Sequence, residues 1–207
     1  MAKILIGATA EELAQEIDGF FMGTDRVWET MTHAARRLED AGIEYAVIGG
    51  MALTLHGFAR PTADVDILVS RAGLDRVHLE LAGRGFLPSF SGARKSLRDT
   101  TTGVKVDFIT TGEYPGDGKP KAVVFPDPAT TSTDRLGYKV IELPRLIELK
   151  LASGLTNPLR LRDLADVQDL ISALNLPRNL ADNIDSSVRD EYLRMWDAAA
   201  AARPQAE

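Results

Sequence analysis

Residues 45–50 read Tyr45-Ala46-Val47-Ile48-Gly49-Gly50, and residues 60–69 read Arg60-Pro61-Thr62-Ala63-Asp64-Val65-Asp66-Ile67-Leu68-Val69. The apolar run Ile43 to Ile48 suits a buried strand, the glycine pair breaks it sharply, and Met51 to His56 makes a short helix that Gly57 ends. Asp64 to Val69 is the next strand. Side chains alternate along a strand, so Val65 and Ile67 face one way while Asp64 and Asp66 face the other, roughly 6.6–6.8 Å apart along it. A strand, a glycine turn, a helix and a strand with two carboxylates on one face point to an α/β fold of the α+β kind.

Working outward, Val27, Met31, Ala34, Ala35 and Leu38 recur at helical spacing from Asp25 to Ala41, and Gly42 supplies the stop. Ser70 can cap a helix through Leu81 whose stripe is Leu74, Val77 and Leu81. Phe86 to Phe90 and Val104 to Thr110 are strand candidates, and in the second Val104, Val106 and Phe108 alternate with Lys105, Asp107 and Ile109. Glu113 to Pro128, rich in Gly, Pro, Asp and Lys, reads as loop apart from a strand-like Val123-Val124-Phe125. Tyr138 to Ile141 is a further strand. Helices follow from Pro144 to a stop at Gly154, from Arg160 to Leu174, and from Val188 to Ala202. The expected organisation is a lead-in helix in residues 1–23, opened by Thr9 and Glu12 as a capping box, a core in 24–142, and a helical region in 143–207.

The 207 residues suffice for a substantial core, and 44% hydrophobic with 26% charged residues is ordinary for a soluble globular protein. No apolar run approaches the roughly 20 residues that span a bilayer, and Met1 to Gly7 lacks the apolar core of a signal peptide. The expected location is therefore the cytoplasm, with no membrane partner. The absence of cysteine excludes disulfides, thiol nucleophiles and thiolate-held zinc, and the three histidines, His33, His56 and His78, are scattered through predicted helices. Any metal must be held mainly by oxygen. A net charge of -6 argues against a generic nucleic-acid coat, although Arg94, Lys95, Arg98, Lys119 and Lys121 leave room for a local basic surface.

Carboxylates clustered on one face are the usual holders of hard divalent cations. An Asp-x-Asp pair alone also caps turns or solvates an edge strand. Asp107 strengthens the metal reading, because it interrupts an apolar strand where an unpaired charge is costly and a cation would offset that cost. Gly49 and Gly50 add an independent feature: backbone amides at a turn feeding a helix N-terminus favour an anionic phosphate, and residues without side chains allow close approach.

Val47-Ile48-Gly49-Gly50, thirteen intervening residues and Asp64-Val65-Asp66-Ile67 resemble the signature of the polymerase-beta-type nucleotidyltransferases, with Gly50 where that family usually carries serine. Arg60-Pro61-Thr62 completes an Arg-x-Thr-x-Asp-x-Asp pattern similar to that of the AbiEii-type nucleotidyltransferase toxins. Lys150-Leu151-Ala152-Ser153 and Arg162-Asp163-Leu164-Ala165-Asp166 are similar to later motifs of the same group, with Arg162 where lysine is more usual. The resemblance covers roughly residues 43–169. It implies the nucleotidyltransferase fold, a small mixed sheet flanked by helices, followed by a C-terminal helical region.

The resemblance further implies that Asp64, Asp66 and Asp107 bind Mg²⁺, with Mn²⁺ as the alternative. It implies an NTP substrate met by Gly49, Gly50, Arg60, Thr62, Lys150 and Arg162, and a part in activity for Asp163. The implied role is transfer of NMP to a tRNA 3′ end by the toxin of a toxin-antitoxin or phage-defence pair, restrained by an antitoxin protein. Two alternatives stand beside it: a transferase acting on a small molecule such as an aminoglycoside or AMPylating a protein, and a nucleotide-binding regulator without catalysis.

Overall fold

A computed structural model describes residues 3–4 and 25–202. The expected lead-in helix and the tail beyond Pro204 lie outside the described residues. The chain divides into two units, residues 1–112 with 126–142, and residues 113–125 with 143–207.

The first unit is built on a seven-stranded mixed sheet. Helix α1 (Asp25–Asp40) buries the predicted stripe of Val27, Met31, Ala34, Ala35 and Leu38. It ends as the sequence requires: Ile43 N–H donates to the Leu38 carbonyl at 2.8 Å and Gly42 N–H to that of Glu39 at 2.8 Å, satisfying carbonyls that the last turn leaves open. A two-residue strand β1 (Lys3–Ile4) pairs with β3 (Phe58–Ala59) outside the main sheet. In the main sheet, β2 (Tyr45–Ile48) begins two residues later than the apolar run, and α2 (Gly49–Leu55) starts on the glycine pair itself rather than at Met51. Strand β4 (Asp64–Val69) has its predicted bounds, and Ser70 caps α3 (Arg71–Glu80) by accepting from Gly73 N–H at 2.9 Å.

Strand β5 (Phe86–Pro88) is shorter than expected, β6 (Ser96–Asp99) was not foreseen, and β7 (Lys105–Thr110) alternates as predicted. A short helix α4 (Pro128–Thr131) and strand β8 (Ser132–Arg135), also unforeseen, precede β9 (Tyr138–Ile141). Leu136 and Gly137, at φ 53° and 83°, join β8 to β9 in a two-residue turn whose paired positive φ values follow the right-handed strand twist. The strand order is β5-β6-β7-β4-β2-β9-β8. Strand β4 runs antiparallel to β2 and parallel to β7, and β9 runs parallel to β2. Val65, Ile67, Val106 and Phe108 are all at most 1% exposed. Burying an aliphatic or phenyl side chain of this size contributes about 1.5–3 kcal/mol, which fixes the face on which the alternate aspartates emerge.

The second unit contains α5 (Leu143–Thr156), α6 (Leu161–Ala173) and α7 (Ser186–Ala201), with short 3-10 segments at Pro158–Arg160 and Arg178–Asn183. Gly154 does not end α5. It lies against α6, where a Cβ would come within 2.5 Å of Leu164 Cγ, so the residue serves close helix packing instead of termination. Val123-Val124-Phe125 forms no strand; Phe125 N–H donates to the Glu113 carbonyl at 2.9 Å, and Lys121 Nζ donates to Thr156 Oγ1 at 3.1 Å.

Candidate active site

The parallel pairing of β4 with β7 sets Asp66 directly opposite Asp107 and Asp64 opposite Lys105. Residues opposed in register project to the same face, so three aspartates and one lysine emerge together. Lys105 Nζ lies 2.6 Å from Asp107 Oδ2 and 3.6 Å from Asp64 Oδ2. Its hydrogen bond to Asp107, reinforced by the charges of Asp107 and Asp64 against a smaller cost of burial, holds the ammonium charged to higher pH than an ordinary lysine. Alternation along the sequence had put Lys105 on the face of Asp107 but gave it no role.

The glycine pair makes room for this face. Gly49 has φ 63°, and a Cβ there would lie 2.0 Å from Asp66 Oδ2; on Gly50 it would lie 2.7 Å from Thr62 Oγ1. Asp66 and Thr62 therefore rest against the two glycines, so the missing side chains accommodate neighbours within the chain. Ile48 precedes α2 and offers no side-chain cap to its first amides. Thr62 Oγ1 stands 3.4 Å from the Asp64 carbonyl and 3.5 Å from Asp64 Oδ1, and Arg60 Nη1 donates to the Pro61 carbonyl at 3.1 Å. Thr62 thus touches both the glycine turn and the Asp64 backbone.

Lys150, Asp163 and Arg162 belong to the second unit. Lys150 Nζ donates to Asp166 Oδ2 at 2.7 Å and to Asp163 Oδ1 at 3.0 Å, and Ser153 Oγ donates to Asp163 Oδ2 at 2.6 Å. The Lys150 side chain is 7% exposed and that of Asp166 3%, so this is a buried ion-pair cluster joining α5 to α6. Two of the three Nζ donors of Lys150 are thereby occupied. Arg162 is exposed. Lys121 Nζ is held by Asp117 Oδ1 at 2.5 Å and the Pro115 carbonyl at 2.5 Å, and Arg94 Nη2 by Asp75 at 2.9 Å.

The histidines bond to structural partners. His33 Nδ1 meets Asp99 Oδ2 at 2.8 Å, and His78 Nε2 contacts the Arg94 carbonyl. His56 Nε2 meets the Ile141 carbonyl at 2.8 Å, and burial lowers its pKa to about 4, leaving the ring neutral and the Nε2–H donating.

The donor set suits a hard divalent cation, since all three side chains offer carboxylate oxygen and they line one face in register. Among the described residues, no three acidic or histidine side chains converge as a ready-made metal cage. The Lys105 ammonium lies between Asp64 and Asp107 as an internal cation. Asp64 and Asp107 are 37% and 30% exposed at their side chains, so they are accessible from solvent.

No protein-family profile and no curated protein matches the chain. Solved structures do. A Helicobacter pylori protein proposed to be a nucleotidyltransferase superposes with a TM-score of 0.50 at 16% identity, over 87% of this chain and 94% of that one. JHP933 from H. pylori follows with 0.47 at 16% identity, over 84% of this chain and 89% of its own. A Thermotoga maritima protein, also a proposed nucleotidyltransferase, gives 0.46 at 17% identity, over 73% of this chain and 94% of its own. The chain has a nucleotidyltransferase fold: a mixed seven-stranded sheet flanked by helices, in the class to which the H. pylori structure belongs. No helix among the described residues is long and apolar enough to cross a membrane.

Proposed function

We propose that this protein is a Mg²⁺-dependent nucleotidyltransferase that transfers NMP from an NTP to a hydroxyl acceptor. The observation that carries the proposal is the in-register pair Asp66 and Asp107, with Asp64 on the same face and Gly49 beneath Asp66, within a nucleotidyltransferase fold. For the acceptor we propose the tRNA 3′ end, and for the role a cytoplasmic toxin restrained by an antitoxin protein. The support for these finer assignments is the Arg60-x-Thr62-x-Asp64-x-Asp66 spacing.

Asp64, Asp66 and Asp107 would hold Mg²⁺, or Mn²⁺ in its place. Bound there, the cation supplies charge neutralisation at the triphosphate and lowers the pKa of the attacking hydroxyl. Asp107 accepts the proton as the acceptor oxygen forms its bond to the α-phosphorus; the bond to the bridging oxygen breaks and pyrophosphate leaves. The amides at the start of α2 donate to phosphate oxygens. Thr62 orients Asp64 by its contact with that residue's backbone and carboxylate. Lys150 and Asp163 are bonded to each other between α5 and α6, and in this reading Lys150 also meets the nucleotide phosphates and Asp163 supports activity.

The test is incubation with Mg²⁺ and each labelled NTP in turn, with total tRNA, an aminoglycoside or a protein extract as acceptor, for the wild type and an Asp64→Ala, Asp66→Ala double variant. Label is expected on the tRNA 3′ end. It should fall at least about 10³-fold in the variant, because loss of metal-borne charge stabilisation removes several kcal/mol. Equal labelling by the variant sinks the aspartate assignment. Label on the aminoglycoside or a protein replaces the acceptor, and NTP binding without labelling of any acceptor favours a regulatory protein.

A further inference from the structure

The position of Lys105 carries an inference beyond the transfer reaction, and it rests on the metal site proposed above. The β4–β7 register places its ammonium on the face of Asp64, Asp66 and Asp107, and the β6–β7 register sets Arg98 beside it on that face. The Lys105 ammonium bonds one carboxylate at 2.6 Å and approaches a second at 3.6 Å. Three carboxylates on adjoining strands repel one another strongly when nothing neutralises them, and an ammonium between two of them relieves that repulsion. Mg²⁺ demands oxygens at about 2.0–2.1 Å in octahedral geometry, so an ion ligated by the same oxygens requires the space that Nζ occupies. The Lys105 side chain is 38% exposed, and a four-carbon stem anchored at that depth can carry its head group out into water without disturbing the sheet.

We propose that Lys105 is a built-in counter-ion of the catalytic carboxylates that competes with the divalent cation for Asp64 and Asp107. Without metal, the ammonium keeps Asp64 and Asp107 together and the first unit stable. Metal entry displaces it, and part of the metal's binding free energy is used in breaking the Lys105–Asp107 pair. Lys105 thereby sets a threshold cation concentration below which the site stays closed by its own lysine.

The test measures Mn²⁺ binding directly, by calorimetry and by loss of the free-ion electron paramagnetic resonance signal. It compares the wild type, Lys105→Met, Lys105→Arg and an Asp64→Asn, Asp66→Asn variant, with thermal unfolding in EDTA and in Mn²⁺. A half-exposed pair of this kind is worth about 1 kcal/mol, so Lys105→Met should bind Mn²⁺ about fivefold more tightly. The same variant should melt at a lower temperature than wild type in EDTA and gain more from added Mn²⁺. Lys105→Arg, which keeps the charge, should stay near wild type. Equal or weaker Mn²⁺ binding by Lys105→Met, with binding abolished in the asparagine variant, overturns the competition while leaving the metal site standing. Absence of Mn²⁺ binding in both wild type and Lys105→Met overturns the metal site and this inference together.

Discussion

Gly50, at the position where the sequence resemblance leads one to expect serine, is packed against Thr62. A Cβ on Gly50 would lie 2.7 Å from Thr62 Oγ1 and 2.9 Å from Thr62 Cβ, so the side chain that fills this corner comes from the other side of the turn. Gly50→Ser should therefore overpack the corner and cost about 1–3 kcal/mol. Thr62→Ala opens the space, and the Gly50→Ser, Thr62→Ala pair should recover part of that loss, with a coupling of about 0.5–3 kcal/mol in a urea-denaturation cycle. Strictly additive losses would show that Thr62 is not the obstacle. Gly49 has no such remedy: its φ of 63° and the 2.0 Å approach of Asp66 Oδ2 leave no side chain of either size a place.

At the scale of elements, the buried cluster of Lys150, Asp163, Asp166 and Ser153 makes the joint between α5 and α6 an electrostatic one. Lys150→Met removes the cation shared by the buried Asp166 and the part-buried Asp163 and should lower unfolding stability by up to about 3 kcal/mol, measured by chemical denaturation. A loss under 1 kcal/mol would mean that water reaches the pair. The same scale shows what the sequence could and could not disclose. Helices α1 and α3 and strands β4 and β7 were legible because an apolar period and a stop signal agreed at each. Strands β6 and β8 were not, since Ser96-Leu97-Arg98-Asp99 and Ser132-Thr133-Asp134-Arg135 offer one apolar residue between them and owe their form to the neighbours they pair with. Val123-Val124-Phe125 erred the other way, having strand-like residues but no ladder to join. Asp64, Asp66 and Asp107 were each placed on the correct side of their own strands. That Asp66 faces Asp107, and that Lys105 reaches Asp64, depended on which strands are neighbours, a long-range fact with no local signal.

For the molecule as a whole, buried neutral groups bound the pH range of stability on both sides. His56 titrates near 4 in the fold against about 6.5 unfolded, so between those values the unfolded chain binds the extra proton. The contribution of this residue is complete above pH 6.5 and is lost as pH falls towards 4, by up to about 3 kcal/mol. His56→Gln can keep a donor near the Ile141 carbonyl without titrating. Stability measured from pH 7.5 to 4.5 should decline less steeply in that variant than in wild type, and parallel profiles would remove His56 as the cause. On the alkaline side, burial pushes Tyr192 up to about 12 and raises Tyr45 as well, so stability falls once unfolded tyrosines ionise above about pH 10.

The parallel pairing of β4 with β7 also sets a timetable. The aspartates of β4 leave the ribosome while β7 is still unmade, and β2 can pair with β4 first because both are already present. A parallel partner reached only after the intervening α3, β5 and β6 belongs to the slowest kind of contact to form, since the loop must close before the pairing rewards it. During synthesis the chain thus displays its full Asp-x-Asp motif for an interval in which Asp107 does not yet exist, and a product ending before Lys105 would carry the β4 aspartates without the in-register partners that β7 brings them.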